Sequence, residues 1–251
     1  MRSLPIIVVI LSLLSIIIGS AMIGPESYLL GFISNNETKD ISNMMYHVNS
    51  NPFNLSYADW TENWWRWTYS IPWGSNPSYD DSGVNCGQHQ NGPVWFLTSS
   101  FDHPTTRTCE IPSNTAILTT LLNSECSFAE YSYLKTEQQL RECAKKIQDI
   151  VSGGSASLDG QKIPGQFMYR IQTDLFNFTL PQNNILNLSS QTTQAVADGT
   201  WLFIKPLSPG IHVLKVKGDI NPTTFENVTD ANQYNGPIGW NQTTTYNLII
   251  K

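Results

Sequence analysis

Residues 56–112 read SYADWTENWWRWTYSIPWGSNPSYDDSGVNCGQHQNGPVWFLTSSFDHPTTRTCEIP, and they hold six of the chain's eight tryptophans and two of its four cysteines. Tyr57, Trp60, Trp64, Trp67 and Ile71 recur at spacings of three and four, which puts them on one face of an α-helix. Ser56 can cap that helix with Asp59 in the capping-box position, and Glu62 can pair with Arg66 one turn on. Pro72 stops it. A tryptophan stripe at helical spacing is a core face, so this helix must pack on a large apolar partner. Trp65 and Tyr69 lie off the stripe. After Pro72 the run WGSNPSYDDSGVNCGQHQNGP is rich in Gly, Pro, Asn, Asp and Ser, which makes it a long loop pinned at Cys86. Val94–Leu97 is a short buried strand.

Downstream, residues 115–122 form a further strand candidate. Thr136 opens a second helix with Gln139 in the capping-box position, and its apolar face runs through Leu140, Cys143, Ala144, Ile147, Ile150 and Val151 to Gly153-Gly154, expected to end it. Beyond Gly154 the pattern is β. SASL-DG-QKI predicts a hairpin turning at Asp159-Gly160. Residues 167–173 and 176–180 are strand candidates. Residues 200–207 and 211–217 flank Ser208-Pro209-Gly210 as a second predicted hairpin, and 243–250 is a closing strand. The expected fold is mainly β: a β-sandwich or jelly-roll-like domain with two packed helices, preceded by an N-terminal hydrophobic helix.

That N-terminal helix is the localisation signal. Arg2 precedes an uncharged run over residues 3–25 containing PIIVVILSLLSIII, followed by Gly19-Ser20-Ala21, a small-x-small cleavage pattern. Residues 1–24 therefore read as a signal peptide or a transmembrane anchor, and Arg2 places the remainder outside. Residues 25–55 read as a spacer, a loose tether or extended arm, and residues 56–251 as one exported domain. Six N-x-S/T sequons, at Asn36, Asn54, Asn177, Asn187, Asn227 and Asn241, agree with export. So does an even cysteine count. Cys86, Cys109, Cys126 and Cys143 allow three connectivities, and sequential pairing, 86–109 and 126–143, closes the shortest loops.

The 251-residue chain is 40% hydrophobic but only 14% charged, with a net charge of −6. No basic cluster exists to neutralise phosphates, so nucleic acid is excluded as a partner. The absence of CxxC spacing argues against zinc, and no metal or other cofactor is expected. HExxH, GxSxG, GxGxxG and P-loop signatures are all missing.

The chain resembles an uncharacterised family of exported prokaryotic proteins. The resemblance rests on W-x3-WW-x-W (Trp60 to Trp67), NP with D-x-G (Asn76-Pro77, Asp81 to Gly83) and C-x3-Q-x-GPVWFL (Cys86 to Leu97). It continues through R-x-C-x-IP (Arg107 to Pro112), DG-x-x-IP (Asp159 to Pro164), Tyr169-Arg170 and LSPG-x-H (Leu207 to His212). It implies export and a common fold, and supplies no catalytic residue.

Candidate ligand-binding residues are Trp65, Trp73, Tyr79, His89 and Gln90, aromatic and polar groups in or beside the stapled loop. His89 and His103, with Asp80, Asp81 or Asp102, are the weak option for a cation. His212 reads as a packing or surface residue. Arg107 and Arg170 read as structural, with Glu125 or Asp159 as possible carboxylate partners. The leading functional expectation is a non-enzymatic binding or surface-structural module of the cell envelope, with a glycan or other envelope proteins as partners. The alternative is a secreted polysaccharide hydrolase using carboxylates near the tryptophans, among Glu62, Asp80, Asp81, Glu125 and Glu130. A third is a subunit of a membrane-associated complex. What separates the first two is whether two carboxylates converge in a Trp-lined cleft.

Overall fold

The computed structural model describes residues 40–100, 103–220 and 241–251. The N-terminal apolar run, the sequons at Asn36 and Asn227, and Asp102 lie outside the described residues. Among those described, no helix is long and apolar enough to cross a membrane.

Both predicted helices form, each opened by its capping box. In α1 (Tyr57–Ser70) the Ser56 hydroxyl accepts from the Asp59 N–H, and the Asp59 carboxylate accepts from the Ser56 N–H. In α2 (Glu137–Asp149) Thr136 and Gln139 do the same. Apart from short 3-10 turns, the other described elements are strands: β1 (Val94–Phe96), β2 (Thr105–Ile111), β3 (Ala116–Ser127), β4 (Val151–Leu158), β5 (Gln161–Lys162), β6 (Tyr169–Gln172), β7 (Phe176–Leu180), β8 (Gln191–Ile204), β9 (Gly210–Ile220) and β10 (Asn241–Ile250).

These strands make two five-stranded sheets. The first has the order β1-β3-β8-β6, with β7 also on β8; the second runs β2-β10-β9-β4-β5. Both are mixed, because β1 pairs with β3, and β2 with β10, in parallel. Ile117, Leu121, Leu202 and Ile204 of the first sheet share one core with Cys109, Ile111, Leu158, Leu214, Val216 and Leu248 of the second, so the sheets face each other as a sandwich. The opposite face of the first sheet is covered by α1, whose Trp60, Trp64 and Trp67 pack on Leu118, Phe178, Trp201 and Phe203. That explains why β3 is buried along nearly its whole length while β2 alternates buried and exposed. The predicted Trp stripe is therefore core.

Several expectations are corrected. Residues 40–55 are not a loose tether. Met45 bridges Ile204, and the Tyr46 N–H donates to Phe203 O at 2.9 Å, so this segment is seated against the end of β8. Gly153-Gly154 do not terminate α2, which ends at Asp149; they lie in β4. A Cβ on Gly154 would sit 2.7 Å from Leu121 Cδ2, so the second sheet needs glycine there to approach the first. Strands β8 and β9 do not form a hairpin around Ser208-Pro209-Gly210. Both sides of β8 are already taken, by β3 and by β6 and β7, and the chain crosses to the other sheet, where β9 lies between β10 and β4. Strand β2 has no counterpart among the predicted elements. The Asp159-Gly160 hairpin forms as expected, with φ of 51° and 78° at the turn.

The disulfides are Cys86–Cys109 and Cys126–Cys143, as shortest-loop pairing predicts. The first ties the long loop to β2, the second ties α2 to β3. Two such bonds are consistent with an oxidising compartment. We expect Cys86→Ser with Cys109→Ser to cost about 3 kcal/mol through the freed denatured chain. Urea unfolding checks this, and an unchanged midpoint would mean that the bond does not constrain the fold.

Candidate functional site

The loop after α1 is held at every few residues. The Asn76 side chain donates to Thr68 O (2.7 Å) and Ile71 O (3.1 Å), and its carbonyl accepts from Ser78 N–H. Trp73 N–H donates to Asn183 O at 2.7 Å. Asp80 accepts from Ser82 and from Asn85 N–H; burial raises its pKa, but these hydrogen bonds outweigh burial and hold it below the usual carboxylate range. Gly83, at φ +90°, lies against the backbone of β2, where a Cβ would sit 2.4 Å from Thr108 O. The backbone is thus fixed, yet it presents Trp73 and Tyr79 at 58% and 47% exposure, their rings 5.9 Å apart and tilted by 54°.

Beside this loop is a groove of about 670 Å³ lined by Trp60, Asn63, Trp67, Ser70, His89 and Gln90, with Asn91 to Pro93 and Phe96 closing it. His89 sits at φ 51°. Its Nδ1 is 3.0 Å from Ser70 Oγ, which itself lies 2.8 Å from Trp67 O. A hydroxyl has one proton. With that proton given to the carbonyl, Ser70 accepts from Nδ1–H. The pair is then a strut between α1 and the loop, since a Ser–His nucleophile needs the hydroxyl proton aimed at the ring.

The five candidate ligand residues thus fall in three places. Trp73 and Tyr79 form the exposed pair. His89 and Gln90 line the groove, but Gln90 spends its amide on structure: it donates to Cys86 O and Phe96 O and accepts from Phe96 N–H, clamping β1. Trp65 is buried at 7% exposure between Trp64 and Tyr69 and presents no surface for a ligand. Sequence reasoning missed Asn63 and Ser70. They stand one position beyond Glu62 and Tyr69, seven apart, and that spacing is a signal that they share a helix face.

The charged candidates resolve similarly. Arg107 is 1% exposed and has neither Glu125 nor Asp159 as partner; its guanidinium donates to the carbonyls of Thr98 and Ser78, and Tyr246 OH donates to Thr98 O at 2.6 Å. Arg170 grips Asp198 through two hydrogen bonds (2.9 and 2.8 Å) and pairs with Asp149 at 2.7 Å, joining β6, β8 and α2. His212 bridges Asp159 and Ser208 O, locking the DG and LSPG turns together. His103 pairs with Asp81 at 3.0 Å, and among the described residues no group of three ligating side chains could hold a metal. Asn54, Asn177 and Asn187 are exposed; Asn241 opens β10.

Two carboxylates do converge near the tryptophans. Glu125 on β3 is buried, accepts from Tyr69 OH at 2.7 Å, and faces Glu130. Glu125 is 7% exposed, and neither residue lines the groove at His89, so a sugar ring has no access to both.

A scan of the chain against protein-family models finds no match, and neither does a search of curated proteins. Among solved structures, a chain from the complex of PbICP-C with falcipain-2 is 10% identical, covering 64% of this chain and 100% of its own length, with a TM-score of 0.25. The cysteine protease inhibitor EhICP2 from Entamoeba histolytica is 12% identical, covering 62% of this chain and 95% of its own, with a TM-score of 0.21. Likeness at that level says nothing about this chain's activity. What the described residues define is a class: a disulfide-linked, mixed β-sandwich with a tryptophan helix on one face.

Proposed function

We propose that the protein is an exported, non-catalytic binding domain of the cell envelope, and that its ligand is a glycan taken on the surface between Trp73 and the groove at His89. The observation that carries this reading is the Trp73–Tyr79 pair. Two large rings are kept in water on a backbone restrained by Asn76, Asp80 and the Cys86–Cys109 bond. Exposed aromatic surface held this rigidly loses little entropy on binding and offers flat faces for the C–H face of a sugar. Asn63 and Asn91 in the groove at His89 offer amides to hydroxyls, and among the described residues no Lys, Arg, Asp or Glu lines that groove. An uncharged lining fits a neutral glycan. Export rests on the N-terminal apolar run, the disulfides and the sequons.

The hydrolase alternative loses support because Glu125 is buried under Tyr69, and neither it nor the exposed Glu130 lines the groove beside the tryptophans. Trp73→Ala and Tyr79→Ala should each change stability by no more than about 0.5 kcal/mol, as surface substitutions do. Both should weaken binding on an array of neutral oligosaccharides at least tenfold. Binding that is equal in wild type and both variants, or absent in wild type, would overturn the reading.

A further inference from the structure

We propose that one proton, held on the buried Glu125 carboxyl where it faces Glu130, is part of the native structure, so that the domain is most stable in an acidic medium. The geometry starts with β3. Residues two apart on a strand share a face, so Glu125 and Ser127 both point toward α1. Ser127 Oγ then donates to Glu130 Oε2 at 2.9 Å, and the turn after β3 closes with Tyr131 N–H on Ser127 O at 3.0 Å. Glu130, itself exposed, is thereby the carboxylate that faces Glu125. Glu125 Oε1 accepts from Tyr69 OH at 2.7 Å, whereas its Oε2 is buried with no N–H or O–H donor. What faces Glu125 is another carboxylate, and two acceptors make a hydrogen bond only when one of them carries a proton.

Among the described residues, no compensating charge stands nearby. From α1 the facing titratable group is Tyr69; from the turn they are Glu130 and Tyr131, with Tyr133 beyond. Phe178 of β7 closes the site against Tyr69, and Trp65 stacks on the same ring. Among the described residues no Lys, Arg or His is hydrogen-bonded or ion-paired to either carboxylate. Burial first, then the Glu130 charge and the shared hydrogen bond, pushes the Glu125 carboxyl well above its ordinary value, and the Tyr69 hydrogen bond offsets only part of this.

The sign follows from linkage. A carboxyl raised in the folded state binds a proton that the unfolded chain releases near pH 4.3. Its stabilisation is complete below that value and is lost as pH rises through the folded-state pKa. Over that window the folding equilibrium constant falls about tenfold per pH unit. Asp80 and Asp149, held low by hydrogen bonds and cations that outweigh their burial, act in the opposite sense and only below the window. Glu62, raised by burial against the pull of Arg66, acts in the same sense two turns before Tyr69 on α1, so the test must isolate Glu125.

The test is urea unfolding of the full chain from pH 4.5 to 8, followed by tryptophan fluorescence, for wild type, Glu125→Gln and Glu62→Gln. Wild type and Glu62→Gln should lose stability with rising pH at up to about tenfold per unit. Glu125→Gln, which keeps the shape and carries no charge, should be nearly flat and more stable than wild type at pH 8. A flat wild-type profile, or a wild-type slope retained in Glu125→Gln, would overturn the proposal. Should Glu125→Gln not fold, infrared spectra of wild type and Glu130→Gln in D2O at pH 6 decide. A protonated carboxyl band present in wild type and retained in Glu130→Gln supports a proton on Glu125, and a band lost in Glu130→Gln refutes it. Absence of the band from wild type refutes it too.

Discussion

Trp64→Ala should destabilise the domain by about 3–5 kcal/mol, the range for large aromatic truncations in a packed core. Trp64 is buried at the centre of the helix–sheet interface. Its ring meets Trp65, Trp67 and Trp201 edge-on, with centroids 5.0, 5.9 and 5.2 Å away. Its Nε1–H donates to Leu97 O at 2.9 Å, just past the end of β1. Truncation therefore opens a cavity, removes three ring contacts and strands a buried carbonyl in one step. Thermal and urea unfolding measure the loss. Melting at the wild-type temperature would mean that the tryptophan face of α1 is not core.

Gly83→Ala should cost about 2–5 kcal/mol, combining about 1–2 for a left-handed backbone and about 1–3 for overpacking. At φ +90° an L-residue is strained, and the added Cβ would lie 2.4 and 2.7 Å from Thr108 O and N. Those are backbone atoms of β2, and Thr108 N–H donates to Ser82 O at 2.9 Å beside them, so neither side can yield easily. The loop must lift away from β2, carrying Tyr79 with it. Glycan binding should fall with stability. Gly92→Ala is the control: φ there is +79°, but nothing stands within 4 Å of a Cβ, so only the backbone cost of about 1–2 kcal/mol applies. Equal losses in the two variants would show that Gly83 is not packed on β2.

The distinction between Trp64 and Trp73 is legible in the chain itself, because a helical stripe and a Gly/Pro/Asn-rich loop are local patterns. Trp65 is different. It lies off the stripe, and only the presence of Tyr69, Phe178 and β7 on that side of α1 buries it. The same applies to Gln90, whose amide reads as a ligand group until β1 folds back onto it. The motifs Cys86 to Leu97, Asp159 to Pro164 and Leu207 to His212 likewise spend their polar residues on holding strands and turns together.

Whatever depends on neighbours along the chain can be read from the residues alone. Both capped helices, the Asp159-Gly160 hairpin, the β-rich character and the two short disulfide loops follow from propensity, turn chemistry and loop closure, which act over a few to a few tens of residues. Pairing between distant segments is decided only in three dimensions. Strand β2 has Arg107 at an inward position and finds its partner in β10, where Thr244 aligns with Thr105. Ser208 to Gly210 has the composition of a hairpin turn, but both sides of β8 are occupied by strands from elsewhere in the chain. Gly153-Gly154 read as a helix stop in one dimension, and in three Gly154 admits Leu121. Glu125 is an ordinary carboxylate along the chain, and loses its water only where α1 closes over the end of β3 and sets Tyr69 against it, with the exposed Glu130 facing it.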